Sequence, residues 1–142
     1  MGGPVAEEVR MSVENVSTVQ AIYAAFGAGD VAGVLAHVQR DTQWDFAGAR
    51  PEVPWHRPVD GADAVPAFFG TLAEAVDFQR FEPRVFVHAG PHVMVEVRMA
   101  YVVRATGRAV EMDQIHWWTL RDGKVARLRH FEDTAQVAAA VA

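Results

Sequence analysis

The sequence predicts an α+β domain in which helices come first and a meandering, curved antiparallel sheet follows them. Between Val85 and Asp133, apolar and polar residues alternate with the two-residue period of strands that bury one face. Thr106–Gly107 and Asp122–Gly123 interrupt this alternation where hairpin turns would lie. The preceding segment, Ser12–Leu72, repeats its apolar residues at helical spacing instead. Helices that close one side of a curved sheet form a cup, and such a cup can hold a small molecule.

Three helices are predicted in the first half of the chain from their caps, stops and apolar stripes. Ser12 can cap the first helix, and Gly27–Gly29 ends it. Asp30 can cap a second, and a third should span about Asp63–Ala75, because Pro66 is tolerated only in a first helical turn. The buried stripes of these helices are Val16, Val19, Ile22, Tyr23 and Phe26; Val31, Val34, Leu35 and Val38; and Val65, Phe68, Phe69 and Leu72.

The remaining segments are expected to complete one domain that spans residues 12–142. Residues 1–11 precede the first cap and are predicted to be a flexible extension. Thr42–Phe46 is short and aromatic, which is typical of a strand. The Pro-rich segment Ala47–Asp60 is predicted to be a loop whose Trp55–His56 pair lies over the mouth of the cup, as a lid or as a packed loop. Asp133 can cap a short alanine-rich tail helix.

Composition and charge exclude several classes of function. A net charge of -5, with 13 scattered basic residues, argues against nucleic-acid binding. The absence of cysteine excludes disulfides, thiolate nucleophiles and cysteine-bound zinc. No apolar run reaches the ~18 residues that cross a membrane, and the N-terminus has no signal-peptide pattern, so a cytoplasmic protein is expected. His88 and His92 straddle a Gly-Pro turn, and no other histidine pair has ligand spacing, so no metal or other cofactor is predicted.

Register decides which side chains face the cup, because a slip of one residue exchanges the two faces of a strand. A two-residue turn at Thr106–Gly107 would set Tyr101 opposite Met112 and Val97 opposite His116. One face of the first of these strands is wholly apolar and is expected to belong to the core. It consists of Val95, Val97, Met99 and Tyr101.

Two turns compete for the hairpin around Asp122–Gly123. A two-residue turn would bury Arg127 and Arg129, and burying unpaired charges costs several kcal/mol. A three-residue loop, with its glycine in the left-handed conformation and a bulge, would turn Leu128 and His130 inward instead. We therefore predict the loop with the bulge. The cup would then be lined by Tyr101, Met112, Gln114, His116, Trp118, Leu128, His130 and Glu132.

The same register places apolar side chains on the outer face of the sheet. Ile115, Trp117 and Phe131 would point away from the cup. Exposed apolar groups on one face indicate a covered surface, so a homodimer formed sheet to sheet is predicted.

Four short motifs occur along the chain in a recognisable order. They are Gly29–Asp30, Asp60–Val65, Asp122–Val125 and Phe131–Asp133. In this order and spacing they resemble the SnoaL-like family, from Ser12 to the C-terminus. That family belongs to the superfamily of nuclear transport factor 2, ketosteroid isomerase and limonene epoxide hydrolase. The resemblance implies a cone-shaped, cystatin-like α+β fold, usually dimeric, with a ligand cavity between sheet and helices. It implies less about function, because this fold hosts isomerases, cyclases, dehydratases, hydrolases and non-enzymes.

The resemblance can be carried to single residues for two members of the superfamily. Matched to ketosteroid isomerase, Ile22 takes the position of the oxyanion tyrosine, Asp45 that of the base and His116 that of the second aspartate. Matched to limonene epoxide hydrolase, one catalytic aspartate falls on His130, and its other two charged residues fall on the apolar face that contains Tyr101. These differences argue against both mechanisms. The polyketide cyclase branch, which uses an acid/base residue in an apolar pocket, is the least demanding match.

Acid/base side chains in the predicted cup are the candidates for catalysis. His116 comes first because the ordinary pKa of an imidazole, ~6.5, suits proton transfer near neutrality; alternatively, it is a core histidine bonded to Gln114 or to a carbonyl. His130 could be its partner, and Glu132 could orient a histidine. Asp45 could take a proton from a carbon acid in a dry pocket, or it could lie solvated at a strand end. The predicted ligand contacts are Trp44, His56, Met99, Tyr101, Met112, Gln114, Trp118, Leu128 and Glu132.

Together these observations predict a cofactor-independent enzyme that isomerises, cyclises or dehydrates an apolar carbonyl compound. Asp45 or His130 would abstract a proton, and His116 would stabilise or protonate the oxygen. A protein that binds an apolar ligand without turnover, and a dimerising module with a filled cup, are the alternatives. A cavity with converging ionisable groups separates the first two possibilities from the third, and turnover separates the first from the second.

Overall fold

The computed structural model describes residues 3–142. Its helices are α1 (Pro4–Gly27), α2 (Val31–Leu35), α3 (Val65–Ala75) and α4 (Thr134–Val141). Its strands are β1 (Val38–Phe46), β2 (Val59–Asp60), β3 (Val76–Ala89), β4 (His92–Val103), β5 (Ala109–Arg121) and β6 (Lys124–Phe131). One 3-10 turn leads into α3. Three helices therefore precede strands β3 to β6, as predicted.

The strands form one sheet in the order β2-β1-β6-β5-β4-β3. Strands β3 to β6 make the predicted antiparallel meander, whereas β1 lies parallel to β6, so the sheet is mixed rather than wholly antiparallel. The last strand of the meander would otherwise present unpaired N–H and C=O groups, and β1 pairs with them. This pairing sets Phe46 beside His130.

Helix α1 begins at Pro4 rather than at Ser12, so the predicted start was wrong and most of the expected extension is helical. Proline suits a first turn because its missing N–H would have no partner there. Ser12 lies within the helix, and its hydroxyl donates to the Gly90 carbonyl at 3.3 Å instead of capping the backbone. The buried stripe of α1 includes Val19 and Ile22, as predicted.

The other predicted helix signals are confirmed. Asp30 caps α2 by accepting a hydrogen bond from the Gly33 amide at 2.9 Å, and Asp133 caps α4 by accepting from the Gln136 amide at 3.1 Å. The first turn of α3 contains its proline. The helix α2 is shorter than its apolar stripe suggested, because Val38 already belongs to β1.

The β4–β5 hairpin keeps the predicted faces but not the predicted partners. Met99 lies opposite Met112 and Val95 lies opposite His116, two residues away from the expected register. The chain reverses through a wider loop, in which the Gly107 amide donates to the Val103 carbonyl at 2.8 Å. Because side chains alternate with a period of two, an even shift leaves the same residues on the inner face.

The β5–β6 hairpin contains a bulge, but not in its turn. Asp122 and Gly123 have φ values of 53° and 75°, as in a two-residue turn with both residues left-handed, so the predicted three-residue loop was wrong. The pairing shifts farther along, between Thr119 and Leu120, where β6 contains an extra residue. That bulge restores the predicted faces. The inward residues are Leu128 and His130, and the outward ones are Arg127 and Arg129.

Candidate functional site

An apolar cavity of ≈ 70 Å³ lies between the inner face of the sheet and helices α1 and α3. Most of its wall is aromatic, and its few polar side chains are tyrosines, histidines and a glutamine. The wall consists of Ile22, Tyr23, Phe26, Trp44, Phe46, Trp55, Phe68, Phe69, Leu72, Phe78, Phe81, Met99, Tyr101, Gln114, His116, Trp118, Leu128 and His130. An apolar wall with a small number of polar groups is the usual composition of a small-molecule site.

Two surface grooves adjoin the cavity. One, of ≈ 520 Å³, lies between α1 and β3, and the other, of ≈ 410 Å³, lies between α2 and α3. Phe26 and Phe78 belong to the walls of the cavity and of both grooves, and their ring centroids are 5.9 Å apart. These two rings therefore lie between the cavity and both grooves, and a ligand larger than the cavity would require such wall side chains to move.

His130, on β6, has one ring nitrogen tied to the backbone and one free. Its Nδ1 donates to the Asp45 carbonyl at 3.1 Å, and its ring stacks on Phe46 with centroids 4.0 Å apart. Nε2 then carries the lone pair, and no group in residues 3–142 forms a hydrogen bond with it. Burial lowers the pKa of His130 to about 4, against smaller opposing effects of the carbonyl and of the Asp45 charge. The imidazole is neutral near neutrality and can accept a proton.

His116, on β5, is hydrogen-bonded at both ring nitrogens. The Tyr23 hydroxyl lies 2.8 Å from Nδ1, and the Gln114 side-chain oxygen lies 3.0 Å from Nε2. Trp118 donates its indole N–H to the same Tyr23 oxygen at 3.0 Å. The ring centroids of His116 and His130 are 4.8 Å apart. Burial, and then the neighbouring His130, hold the pKa of His116 well below its usual value, so this ring is also neutral.

Tyr23 is a site residue that the sequence analysis placed only on the buried stripe of α1. The match to ketosteroid isomerase put Ile22 at the tyrosine position, and both residues line the cavity, but the hydroxyl that reaches His116 belongs to Tyr23. Burial raises the pKa of Tyr23, and the hydrogen bond from Trp118 partly opposes this rise. A buried hydroxyl on an otherwise apolar helical stripe needs a hydrogen-bond partner in the interior. This requirement is the sequence signal that could have identified Tyr23 as a site residue.

Tyr101, on β4, has a buried hydroxyl without a partner. The residue is 3% exposed, and its Oη is enclosed and makes no hydrogen bond within residues 3–142. Leaving such a group unpaired costs about 1–3 kcal/mol. Burial raises the pKa of Tyr101, and the charge of Glu132 adds to the rise, so the group is a neutral O–H donor. A ligand oxygen in the cavity could satisfy it.

The loop between β1 and β2 closes one end of the cavity as packed structure, which is the second of the two alternatives predicted for it. Trp55 is buried in the cavity wall. The ring of His56 stacks on Phe46 with centroids 4.7 Å apart. Behind the wall, the Arg50 amide donates to His56 Nδ1 at 3.0 Å, and His56 Nε2 bonds to the Glu132 carboxylate. The loop is therefore held by buried hydrogen bonds as well as by aromatic packing.

Asp45 lies on the outer face of the sheet, so the prediction that it faces a dry pocket is wrong. Trp44 and Phe46 take the inward positions of β1, which turns the residue between them outward. The Asp45 carboxylate pairs with Arg127 at 3.2 Å and with Arg129 at 3.3 Å. Its contribution to the site is its backbone carbonyl, which holds His130.

Most other predicted site residues line the cavity, and three lie behind its wall. Met112 is buried and contacts the Gln114 amide through its sulfur at 3.8 Å. His56 and Glu132 have side chains that are 1% and 0% exposed, but they face each other rather than the cavity. The predicted residues in the wall are Trp44, Met99, Tyr101, Gln114, His116, Trp118, Leu128 and His130.

The two imidazoles of the wall have no carboxylate or thiolate in the wall to complete a metal-ligand set. Across residues 3–142, no group of three His, Cys, Asp or Glu side chains could hold a metal ion. No helix in that part of the chain has the length and hydropathy needed to cross a bilayer.

The chain is similar to several known proteins in sequence and in structure. Residues 19–128 match the SnoaL-like domain. A nuclear transport factor 2-like protein from Burkholderia xenovorans LB400 is 32% identical, with 92% of this chain and 98% of that one covered and a TM-score of 0.84. TerC, co-crystallised with polyporic acid, is 24% identical, with coverage of 90% and 98% and a TM-score of 0.80. A protein from Jannaschia sp. CCS1, provisionally assigned as a SnoaL-like polyketide cyclase, is 20% identical, with coverage of 99% and 96% and a TM-score of 0.76. No curated protein matches the chain.

The family match and the similar structures confirm the predicted family and fold. The domain match covers most of the chain, and the Burkholderia xenovorans protein is similar over nearly its whole length. The chain therefore belongs to the SnoaL-like family and has the nuclear transport factor 2-like, ketosteroid isomerase-like fold.

Proposed function

We propose that the protein is a cofactor-independent acid/base enzyme that acts on an apolar carbonyl compound held in the cavity. The observation that carries this proposal is that two polar groups of the apolar wall lack protein partners. His130 Nε2 is a free proton acceptor, and Tyr101 Oη is a free, buried proton donor. An acceptor and a donor left unpaired in one dry cavity are what the enolisation of a ketone requires.

In the proposed reaction, the ligand carbonyl accepts a hydrogen bond from the Tyr101 hydroxyl. His130 Nε2 then removes a proton from the carbon next to that carbonyl, which leaves an enolate and an imidazolium ion. Return of the proton to a different carbon isomerises the ligand. Attack of the enolate carbon on a second carbonyl closes a ring, and the imidazolium then gives its proton to the new alkoxide. Alternatively, the imidazolium protonates a β-hydroxyl group, which leaves as water while the enolate electrons form the new C=C bond. A water-poor wall strengthens the hydrogen bond to the developing oxyanion.

The lowered pKa of His130 sets the protonation state in which this chemistry begins. At about 4, it keeps the free enzyme's ring neutral and available as a base near neutrality. The same burial makes the imidazolium unfavourable on its own. An enolate formed beside it supplies the opposite charge, so the ion pair is stabilised together when the proton moves.

The exchange of carbon-bound protons tests this proposal without knowledge of the natural substrate. β-Tetralone is an apolar ketone with acidic protons next to its carbonyl, and NMR in D₂O follows their replacement by deuterium. We expect the wild type to accelerate the exchange over buffer, and His130→Ala to lose about 10²–10⁴-fold of that rate, the usual contribution of one acid/base group. His88→Ala is the matched control, because His88 is exposed at the end of β3. Exchange at the buffer rate in the wild type would contradict the proposal.

A ligand-binding protein without turnover is the second candidate, and one observation favours it. Both nitrogens of His116 are occupied by protein partners, as in a purely structural histidine. Polyporic acid, with which TerC was co-crystallised, is a suitable binding probe, because quenching of the fluorescence of wall residues Trp44, Trp55 and Trp118 would report its binding. Quenching that saturates, in a protein that does not accelerate β-tetralone exchange, would favour this second function.

We further propose that two copies of the chain associate through the outer face of the sheet. Ile115 and Met94 are 39% and 37% exposed there, beside the stacked rings of Trp117 and Phe131. Such a face is usually covered. Light scattering should give a dimer mass at micromolar concentration, and Trp117→Arg should shift the mass towards that of a monomer. A wild-type monomer would overturn this proposal and leave the cavity chemistry untouched.

A further inference from the structure

A chain of hydrogen bonds runs from the β1–β2 loop, behind the cavity wall, into the wall itself. It begins at the Arg50 backbone amide and ends at the indole N–H of Trp118. Both of these groups can only donate. The links between them are His56, Glu132, Gln114, His116 and Tyr23. Across each neutral imidazole or side-chain amide of such a chain, the direction of one hydrogen bond fixes the direction of the next.

The direction on the loop side is set by the backbone. The Arg50 amide donates to His56 Nδ1 at 3.0 Å, so this nitrogen carries no proton in the neutral ring. The proton of His56 is then on Nε2, which donates to Glu132 Oε1. The two side chains are 1% and 0% exposed, so water does not offer an alternative partner.

On the helix side, the hydrogen bonds have one arrangement that is consistent with this direction. The indole N–H of Trp118 donates to the Tyr23 oxygen at 3.0 Å, and the Tyr23 hydroxyl donates to His116 Nδ1, 2.8 Å away. His116 then carries its proton on Nε2 and donates to the Gln114 oxygen at 3.0 Å. The Gln114 amide nitrogen donates to Glu132 Oε2 at 3.0 Å.

Both directions therefore end at Glu132, and only a group that accepts on both sides can join them. A carboxylate does so, because each of its oxygens accepts. We propose that Glu132 is a positioning residue: it fixes His116 in the tautomer with the proton on Nε2 and thereby keeps the Tyr23 proton bonded to His116 rather than free for the cavity. Glu132 does not line the cavity itself, and it acts through the wall residues Gln114 and His116.

The substitution Glu132→Gln gives this proposal a specific consequence. A side-chain amide has nearly the same shape as a carboxylate, but only its oxygen accepts hydrogen bonds. The amide nitrogen cannot face His56, whose Nε2 proton is fixed by the Arg50 amide. It must face Gln114, whose side chain then turns over and presents its nitrogen to His116. The His116 proton moves to Nδ1 and is donated to Tyr23. Tyr23 now accepts from both sides, and its own proton is released towards the cavity.

One consequence concerns the ligand and rests on the proposed function. In the wild type, Tyr23 has no proton to offer, so Tyr101 is the donor that meets the ligand oxygen. In Glu132→Gln, a second hydroxyl becomes available to the cavity. The tautomer itself is measured without any ligand or turnover, so the positioning role and the proposed function can fail separately.

The test is NMR of protein labelled with ¹⁵N in its histidine rings, using long-range ¹H–¹⁵N spectra that distinguish the two neutral tautomers. We expect the wild type to have His116 protonated at Nε2, and a folded Glu132→Gln variant to have it protonated at Nδ1. His130 is the internal reference and should stay protonated at Nδ1 in both proteins, because the Asp45 carbonyl holds it. Glu111→Gln is the matched control, since the Glu111 side chain is 57% exposed, and it should leave both rings unchanged.

Two results would overturn the positioning role. One is His116 protonated at Nδ1 in the wild type, and the other is an unchanged His116 tautomer in folded Glu132→Gln. If Glu132→Gln does not fold, Tyr23→Phe decides instead. With the direction set by Glu132, His116 in Tyr23→Phe keeps its proton on Nε2, whereas a move to Nδ1 would show that Tyr23 sets the tautomer.

Discussion

The two faces of the same sheet offer opposite surroundings to residues that are neighbours in the sequence. On the inner face, His116 and His130 are buried in aromatic packing, and burial lowers the pKa of both rings. On the outer face, the Asp45 carboxylate forms ion pairs with two arginines, and Arg98 donates to the Glu111 carboxylate at 2.6 Å on the surface. One peptide unit separates a neutral environment from an ionic one.

This difference explains why the cavity wall contains two imidazoles and no carboxylate. A charge on the outer face is solvated and paired, so it costs little there, and each such pair contributes little to stability. An unpaired charge on the inner face would lose its hydration without compensation. The buried carboxylate of Glu132 is compensated for its lost hydration, because His56 and Gln114 each donate to one of its oxygens.

The largest predicted effect comes from placing the same charge on each face. Val97 is 0% exposed on the inner face of β4, and Ile115 is 39% exposed on the outer face of β5. We expect Val97→Lys to lower the free energy of unfolding by several kcal/mol or to prevent folding, because the ammonium group has no partner there. Ile115→Lys should change it by about 0.5 kcal/mol or less, because Glu96 lies opposite. Both substitutions are compared in a Trp117→Arg background, so that loss of the proposed dimer interface does not add to the effect of Ile115→Lys. Urea denaturation measures both, and equal losses would contradict the contrast between the faces.

The second-largest predicted effect is a fall in the free energy of unfolding at acidic pH. Unfolded His130 binds a proton near its ordinary pKa of 6.5, whereas folded His130 binds it only near 4. The stabilising contribution of the neutral ring is therefore complete above about pH 6.5 and is lost as the pH falls towards 4, by roughly 3 kcal/mol. In His130→Gln, the free energy of unfolding should fall less steeply over this range, while His88→Gln should follow the wild type. Parallel curves for all three proteins would argue against a buried neutral His130.

A smaller effect distinguishes the two tyrosines of the inner face. Tyr101→Phe removes a buried hydroxyl that has no partner, so we expect the free energy of unfolding to stay the same or to rise by about 1 kcal/mol. Tyr23→Phe breaks two hydrogen bonds and should lower it by about 1–3 kcal/mol. Thermal or urea unfolding measures both variants. Destabilisation of Tyr101→Phe as large as that of Tyr23→Phe would show that the Tyr101 hydroxyl has a partner.

Local pattern was enough to predict the faces of the long strands, but not their partners. The alternation around His116 and His130 placed both rings inside, and an even error in register left that result intact. The β5–β6 faces were predicted for the right energetic reason, the cost of burying Arg127 and Arg129. The bulge that satisfies this requirement lies within the ladder, where no turn residue marks it.

Contacts between segments that are distant in the chain could not be predicted from the sequence. Asp45 was interpreted as a possible base because nothing local indicates that β1 will lie parallel to β6, which brings Arg127 and Arg129 to it. Tyr23 reaches His116 from another element, across 93 positions of the chain. The hydrogen bonds that define the site join elements whose packing no periodicity specifies.

The most direct test of the central claim compares one residue from each face in the same assay. His130→Ala and Asp45→Asn remove the two predicted bases, one inside the cavity and one outside it. Because the Asp45 backbone carbonyl, not its carboxylate, holds His130, Asp45→Asn should retain β-tetralone exchange within about threefold of the wild type. His130→Ala should lose about 10²–10⁴-fold. Loss of exchange in Asp45→Asn, with wild-type exchange in His130→Ala, would contradict the assignment of the chemistry to the inner face.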